Sequence, residues 1–207
     1  MRRFFTLICA AGMLAGCQQG TPAQEKLDLP IRDGPLGLAM GQDPKDVGAV
    51  PMEGQPGWYK VPVAPKPHPV LVELRVFAGP STGICEIIAT GRRYENDDLG
   101  TQVQPDLERL RADLASKYGQ PKKLDICDIT PSRCLGLTYL EQLIALKIID
   151  TYTWSELEGI EMPETLDRIR LVPSVDDQAR TFAELQIVFK NWKDCEEDVA
   201  KMGARSL

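Results

Sequence analysis

The clearest pattern of apolar and polar positions in the chain starts at Val70. Val70, Val72, Leu74 and Val76 alternate with Glu73 and Arg75, the two-residue period of a half-buried strand. Ala78-Gly79-Pro80-Ser81-Thr82-Gly83 carries turn chemistry, and Ile84 to Thr90 returns as a second strand. The pattern therefore predicts a hairpin. After a loop around Glu95 to Gly100, Pro105 is expected to open a helix. Leu107, Leu110, Leu114 and Tyr118 recur at helical spacing along one face, and Gly119 and Pro121 stop it.

Further along, Thr138-Tyr139-Leu140-Glu141 fits a capping box, in which hydroxyl and carboxylate satisfy free backbone N–H groups. Leu140, Leu143, Ile144 and Leu146 would then face the core. Ile148 to Trp154 reads as a strand. A second hairpin follows: Leu166 to Val172, a turn over Ser174 to Arg180, and Phe182 to Phe189, with Ala183, Leu185, Ile187 and Phe189 on one side. Asp194 is expected to cap a last helix whose first turn holds Glu196, Glu197 and Asp198, acids that oppose the positive end of the helix dipole. Hairpin followed by helix thus occurs twice, over 70–118 and 166–203, with little residue identity between the two. Such patterning indicates an α+β fold, an antiparallel sheet built of hairpins with helices packed on one face.

Upstream, glycine and proline punctuate residues 35–69. Leu36 to Met40 reads as a short strand, Asp43-Pro44 as the start of a short helix, and Trp58 to Val63 as another strand. Pro65, Pro67 and Pro69 force an extended path, because each fixes φ and removes a donor.

The start of the chain carries a different signal. Arg2 and Arg3 precede an apolar run from Phe4 to Ala15, which is shorter than the ~20 residues a membrane-spanning helix needs. Leu14-Ala15-Gly16-Cys17 closes it. Charge, apolar run and small residues before cysteine resemble the signal and lipobox of bacterial lipoproteins. The resemblance implies cleavage before Cys17, a thioether-linked diacylglycerol and a further acyl chain on the new amino terminus. Several acyl chains anchor stably where one binds marginally. Gln18 stands where aspartate would imply retention at the inner membrane, so the resemblance implies an outer-membrane anchor with the body on the periplasmic side. The expected organisation is a signal peptide over 1–16, a flexible tether over 17–34, rich in Pro, Gly and Gln, and one α+β domain over 35–207.

Two further passages resemble known proteins. Gly37-Leu38-Ala39-Met40-Gly41, followed by Asp43-Pro44-Lys45-Asp46-Val47, resembles the glycine–methionine opening and helix of small outer-membrane assembly lipoproteins of the SmpA/OmlA type. Here Met40 precedes Gly41, whereas that opening has Gly before Met, and no functional residue carries over. Leu110 to Pro121 is similar to a helix ending in several uncharacterised periplasmic α+β proteins.

Charge narrows the classes of partner. The whole chain carries −6, and the signal holds Arg2 and Arg3 but no acid, so the mature chain carries −8. That disfavours nucleic acid, which needs clustered Lys and Arg. Once signal Cys9 and lipidated Cys17 are set aside, Cys85, Cys127, Cys134 and Cys195 remain. An even number in an oxidising compartment predicts two disulfides. Four cysteines allow three connectivities. The short loop around Pro131 favours Cys127–Cys134, which leaves Cys85–Cys195.

Candidate chemistry is sparse, and no cofactor or metal site is predicted. His68, the one histidine, sits between Pro67 and Pro69, a poor place to fix an imidazole base, and reads as a solvated loop residue. Gly34, Gly37 and Gly41 lack dinucleotide or P-loop spacing and read as turn glycines. Glu95-Asn96-Asp97-Asp98 offers oxygens to a calcium ion without EF-hand spacing, and a solvated loop is the plainer reading. Asp125 and Asp128 are candidates for paired carboxylates. Trp58-Tyr59 and Tyr152 with Trp154 are candidates for a ligand groove or for core. The expectation is a non-catalytic membrane-anchored lipoprotein that binds or supports another envelope component. The alternatives are an inhibitor or immunity protein that blocks an envelope hydrolase or toxin, or an enzyme working through carboxylates.

Overall fold

The structure, a computed structural model, describes residues 34–146 and 148–204. The lipobox, Cys17 and nearly all of the expected tether lie outside them. Eight strands form one antiparallel sheet: β1 (Val50–Pro51), β2 (Trp58–Val61), β3 (Leu71–Gly79), β4 (Gly83–Gly91), β5 (Lys122–Leu124), β6 (Thr151–Ser155), β7 (Leu166–Val175) and β8 (Thr181–Phe189). Four helices accompany it: α1 (Val103–Tyr118), α2 (Ile126–Ile129), α3 (Tyr139–Leu146) and α4 (Trp192–Ala204). The α+β antiparallel architecture read from the sequence is present. The strand order β1-β2-β3-β4-β8-β7-β6-β5 joins two four-stranded meanders through the β4–β8 pair.

The core follows from the strand period. Tyr59, Val76, Ile87, Ile187, Ile169 and Trp154 lie in register across six strands. Val76, Ile87, Ile169 and Trp154 are fully buried and Ile187 nearly so. Helix α1 covers this face with Leu107, Leu110 and Tyr118, packing over β7 and β8. The Trp154 indole donates to the Gly119 carbonyl at 2.7 Å, which ties the end of α1 to β6.

Helix α4 is set apart from that layer. It packs on β3 and β4 through Trp192, Cys195 and Val199, against Phe77 and Cys85. Phe77 follows Val76 in β3, so its side chain points to the opposite face of the sheet. The helical cover expected on one face is therefore joined by a terminal helix on the other. The twofold hairpin–helix pattern repeats strand order but not helix placement.

Several local expectations change for identifiable reasons. Leu36 to Met40 is not a strand: Pro35–Gly37 forms a 3₁₀ turn, and Gly37 and Gly41 take positive φ. Pro44–Val47 is a 3₁₀ helix, with the Asp43 carboxylate accepting from Lys45 N–H at 2.9 Å. Val72 is 55% exposed, because a pairing irregularity between Leu71 and Glu73 breaks the alternation. Helix α1 begins at Val103, two residues before Pro105, because the Asp97 carboxylate accepts from the N–H groups of Gln102 and Val103. The capping box is formed, with Thr138 N–H donating to Glu141 at 2.7 Å and Glu141 N–H to the Thr138 hydroxyl at 3.3 Å. Leu143 is buried, but Ile144 is 52% exposed. Strand β6 starts at Thr151 rather than Ile148, after Asp150 at positive φ. Helix α4 starts at Trp192, which leaves Asp194 inside its first turn rather than at its cap.

Candidate functional site

Both predicted disulfides are present, Cys85–Cys195 and Cys127–Cys134. The other residues singled out from the sequence are mostly committed to the fold. His68 is held rather than solvated. Its Nδ1 accepts from Val70 N–H at 3.3 Å, so Nε2 carries the proton and donates to Asp113 at 2.9 Å. Neither ring nitrogen then keeps a lone pair for a substrate proton. The correction arises because the proline-flanked loop packs against α1, which the local sequence does not reveal.

The acidic loop divides. Asp97 is 1% exposed, and its carboxylate also accepts from the Thr181 hydroxyl at 2.7 Å, joining the start of α1 to β8. Glu95 and Asp98 stay exposed. Asp125 caps α2 through Cys127 N–H at 2.8 Å. Lys123 reaches Asp150 at 2.9 Å, Asp125 at 3.5 Å and Asp128 at 3.8 Å, and its ammonium is held above the ordinary lysine range, first by the Asp150 contact. The two carboxylates considered as a pair therefore share one lysine with Asp150. Tyr152 and Trp154 are core. The Tyr152 hydroxyl donates to Glu108 at 3.1 Å, and burial pushes its pKa up to about 12.

Trp58 differs, because it belongs to the sheet face opposite α1. That face is the candidate site. Lys60, Arg75, Ile88, Gln186, Arg170, Thr153 and Lys122 form one row in register from β2 across to β5. Each is the chain neighbour of a residue on the covered face, so strand alternation alone turns this row to the open side. The next row along carries Trp58, Phe77, Glu86, Val188 and Arg168, and a third carries Glu73, Thr90 and Glu184. Cations outnumber acids here, in a chain of net charge −6.

Two hollows run along this face and share Glu184. One, of about 620 Å³, lies over Ile88, Thr90 and Phe182 and is bordered by Lys60, Arg75 and Arg93. The other, of about 1130 Å³, lies beside Arg170 and Val172 and is walled by Leu143 and Ile144 of α3. Glu73 and Glu184 in the first and Asp176 and Asp177 in the second balance the cations, so the two hollows, together called the trough, hold as many acids as cations.

The charges in the trough are unequal in their commitments. Arg93 makes paired hydrogen bonds to Glu73 at 2.8 and 3.1 Å, which hold the Glu73 carboxyl below its ordinary value. Arg93 also lies 5.2 Å over the Phe182 ring and 3.4 Å from Asp176, which Arg180 holds at 2.7 Å. Glu86 is 3% exposed, and burial raises its pKa despite the hydrogen bond it accepts from Gln186. Arg75 sits 5.3 Å over the Trp58 ring, and its Nε is buried with no hydrogen-bond partner. A buried unmatched donor costs of order 1–3 kcal/mol. Apart from Trp58, these residues were not singled out in the sequence. The signal was there, in polar positions at every second residue of Trp58–Val61 and Leu166–Val175, but only strand pairing aligns them.

No protein-family model, curated protein sequence or solved structure matches the chain. Among the described residues, no helix is long and apolar enough to cross a membrane, and no cluster of His, Cys, Asp and Glu is placed to hold a metal ion.

Proposed function

We propose that this protein is a lipid-anchored, non-catalytic binding protein of the bacterial outer membrane, facing the periplasm, which engages another envelope component through the open face of its sheet. The observation that carries the reading is the trough, a recess of the open face where Lys60, Arg75 and Arg170 stand beside Glu184 and Asp177 and where Arg75 Nε lacks an acceptor. Two disulfides suit an oxidising compartment. The lipobox at Leu14 to Cys17 supports the anchor. The commitment of both His68 nitrogens, and of Asp125, to internal partners supports a non-catalytic role.

A photocrosslinking residue in place of Glu184, in intact cell envelopes, tests the reading. A discrete adduct of defined mass is the expected result, and its absence counts against a binding role for this face. Mass spectrometry of the amino terminus tests the anchor: Cys17 should carry lipid, and Cys17→Ala should abolish processing. His68→Ala should leave in-cell function intact at equal amounts of folded protein. A second reading, an inhibitor of an envelope hydrolase or toxin, draws on Glu95 and Asp98, which face solvent. A hydrolase or toxin crosslinked at those positions, rather than at Glu184, favours it.

A further inference from the structure

Residues 61–72 contain no Asp or Glu and a single lysine, Lys66, in a chain with 30 acids. Pro62, Pro65, Pro67 and Pro69 fall within the same stretch. It leaves β2 on the α1 side of the sheet, where Val61, Leu74 and Ala89 lie in register. Helix α1 packs over β7 and β8, and this corner is instead bordered by the loop itself and by Leu36, whose carbonyl accepts from Lys66 N–H at 3.0 Å. Val63 is 56% exposed and Val72 55%, and both border a hollow of about 570 Å³ with Leu36, Pro62, Pro67 and Leu71. We infer that this corner rests on the lipid bilayer, with Val63, Val72 and the exposed prolines at the boundary between headgroups and acyl chains. This rests on the lipid anchor at Cys17 proposed above.

The place of the corner is one reason. Gly34 is the first described residue, Leu36 lies two residues on, and Cys17 stands 17 residues before Gly34. At no more than ~3.5 Å per residue, the intervening chain keeps this corner within about 60 Å of the anchor. Tethering replaces bulk concentration with a high effective one, so a contact too weak to recruit a free protein suffices. Chemistry is the other reason. A bilayer penalises unmet backbone donors, and the four prolines have no N–H to leave unmet. Anionic headgroups repel acids, and the stretch has none. Glu73, the acid next to it in sequence, is held by Arg93 at 2.8 Å. Protein docking sites are anchored chiefly by Trp, Tyr and Arg, and residues 61–72 contain none of these. Contact here leaves the trough free, because Lys60 and Arg75, which border the trough, alternate with Val61 and Leu74 and face the other side of the sheet.

The test uses the full-length lipidated protein in vesicles of phosphatidylethanolamine and phosphatidylglycerol. Cys85, Cys127, Cys134 and Cys195 are paired, so Val63→Cys or Val72→Cys supplies the free thiol for an environment-sensitive fluorophore. Leu157→Cys is the control. Leu157 is 97% exposed and follows β6, whose Ser155 is in line with Arg168, Val188, Glu86 and Phe77, at the other end of β3 from Val72. Blue-shifted emission and quenching by spin-labelled lipid are expected at positions 63 and 72, and neither at 157. Both signals should persist at high salt, and Val72→Asp should abolish the shift of a label at position 63. Equal emission at all three positions overturns the proposal. So does a shift in native envelopes with none in pure-lipid vesicles, which assigns the corner to a protein. Unlipidated Cys17 by mass spectrometry, or protein that does not float with the vesicles, removes the anchor and this proposal with it. Lipidated, floating protein without a shift removes this proposal alone.

Discussion

The two disulfides sit in regions built on different principles. Cys85–Cys195 joins residues 110 apart in sequence, and both cysteines are fully buried. Around it, Phe77 meets Trp58 and Trp192, each at a ring distance of 5.2 Å. One helical turn on, the Asp198 carboxylate accepts from the backbone and hydroxyl of both Ser81 and Thr82, closing the β3–β4 turn onto α4. The Asn191 amide donates to the Thr82 and Ile84 carbonyls at 3.2 and 3.3 Å. Cys127–Cys134 spans seven residues within the excursion between β5 and β6. There Ile129 is 64% exposed and Leu135 79%, and among the described residues of that segment only Leu143 and Ile149 are buried apolar ones. The first bridge reinforces packing that already exists. The second holds a segment with little core of its own, as disulfides do in small domains.

The largest expected effect in this comparison is loss of the long bridge. In the chain-entropy model it contributes ~5 kcal/mol, an upper estimate, and the local bridge ~2.5 kcal/mol. Cys85→Ala should therefore lower the melting temperature more than Cys127→Ala. The reverse order in thermal unfolding would show that the excursion, not the α4 corner, limits stability. Non-reducing peptide mapping should find Cys85 with Cys195. A Cys85–Cys127 peptide would remove the contrast altogether.

A smaller effect is expected from Asp198→Ala, which leaves the Ser81 and Thr82 donors to water. Hydrogen bonds from Ser81 N–H and its neighbours hold the Asp198 carboxyl below its ordinary value. A depressed carboxyl pKa adds stability above the unfolded value, which is lost as pH falls through the folded one. The gap in melting temperature between wild type and Asp198→Ala should thus be full at neutral pH and close in acid. A gap independent of pH would assign the loss to helix packing instead.

The smallest expected effect has the opposite sign. Burial raises the pKa of Glu86, so charging it costs more in the folded state than in the unfolded chain. That cost is absent below the ordinary carboxyl value and grows as pH rises through the raised one. Glu86→Gln keeps an acceptor for Gln186 and should raise the melting temperature at neutral pH, with no gain in strong acid. Destabilisation at neutral pH would mean that Arg75 and Arg168 depend on the Glu86 charge.

The legible elements were those whose evidence is local. The Val70–Thr90 and Leu166–Phe189 hairpins and the 103–118 helix follow from apolar period, turn residues and helix stops, since those act within a few residues. The capping box at Thr138 and Glu141 is likewise contained in four residues. The disulfide pairing was reachable by elimination from four cysteines. Elements whose cause lies elsewhere in the chain were not legible. Val72 turns outward because of pairing between β3 and β4, and His68 is fixed by Asp113, 45 residues away.

By itself, then, the sequence determined the α+β class, the strand alternation and the acidic overall charge. Tertiary structure alone decided which strands adjoin, that α4 lies across the sheet from α1, and that Lys60, Arg75, Arg170 and Lys122 fall in one row. Alternation fixes the side of the sheet a residue faces relative to its chain neighbours, because that is a property of the backbone. It does not fix which residue stands beside it, because register depends on the burial of every strand together. A charge distributed over four strands becomes a surface only once that burial has set the register.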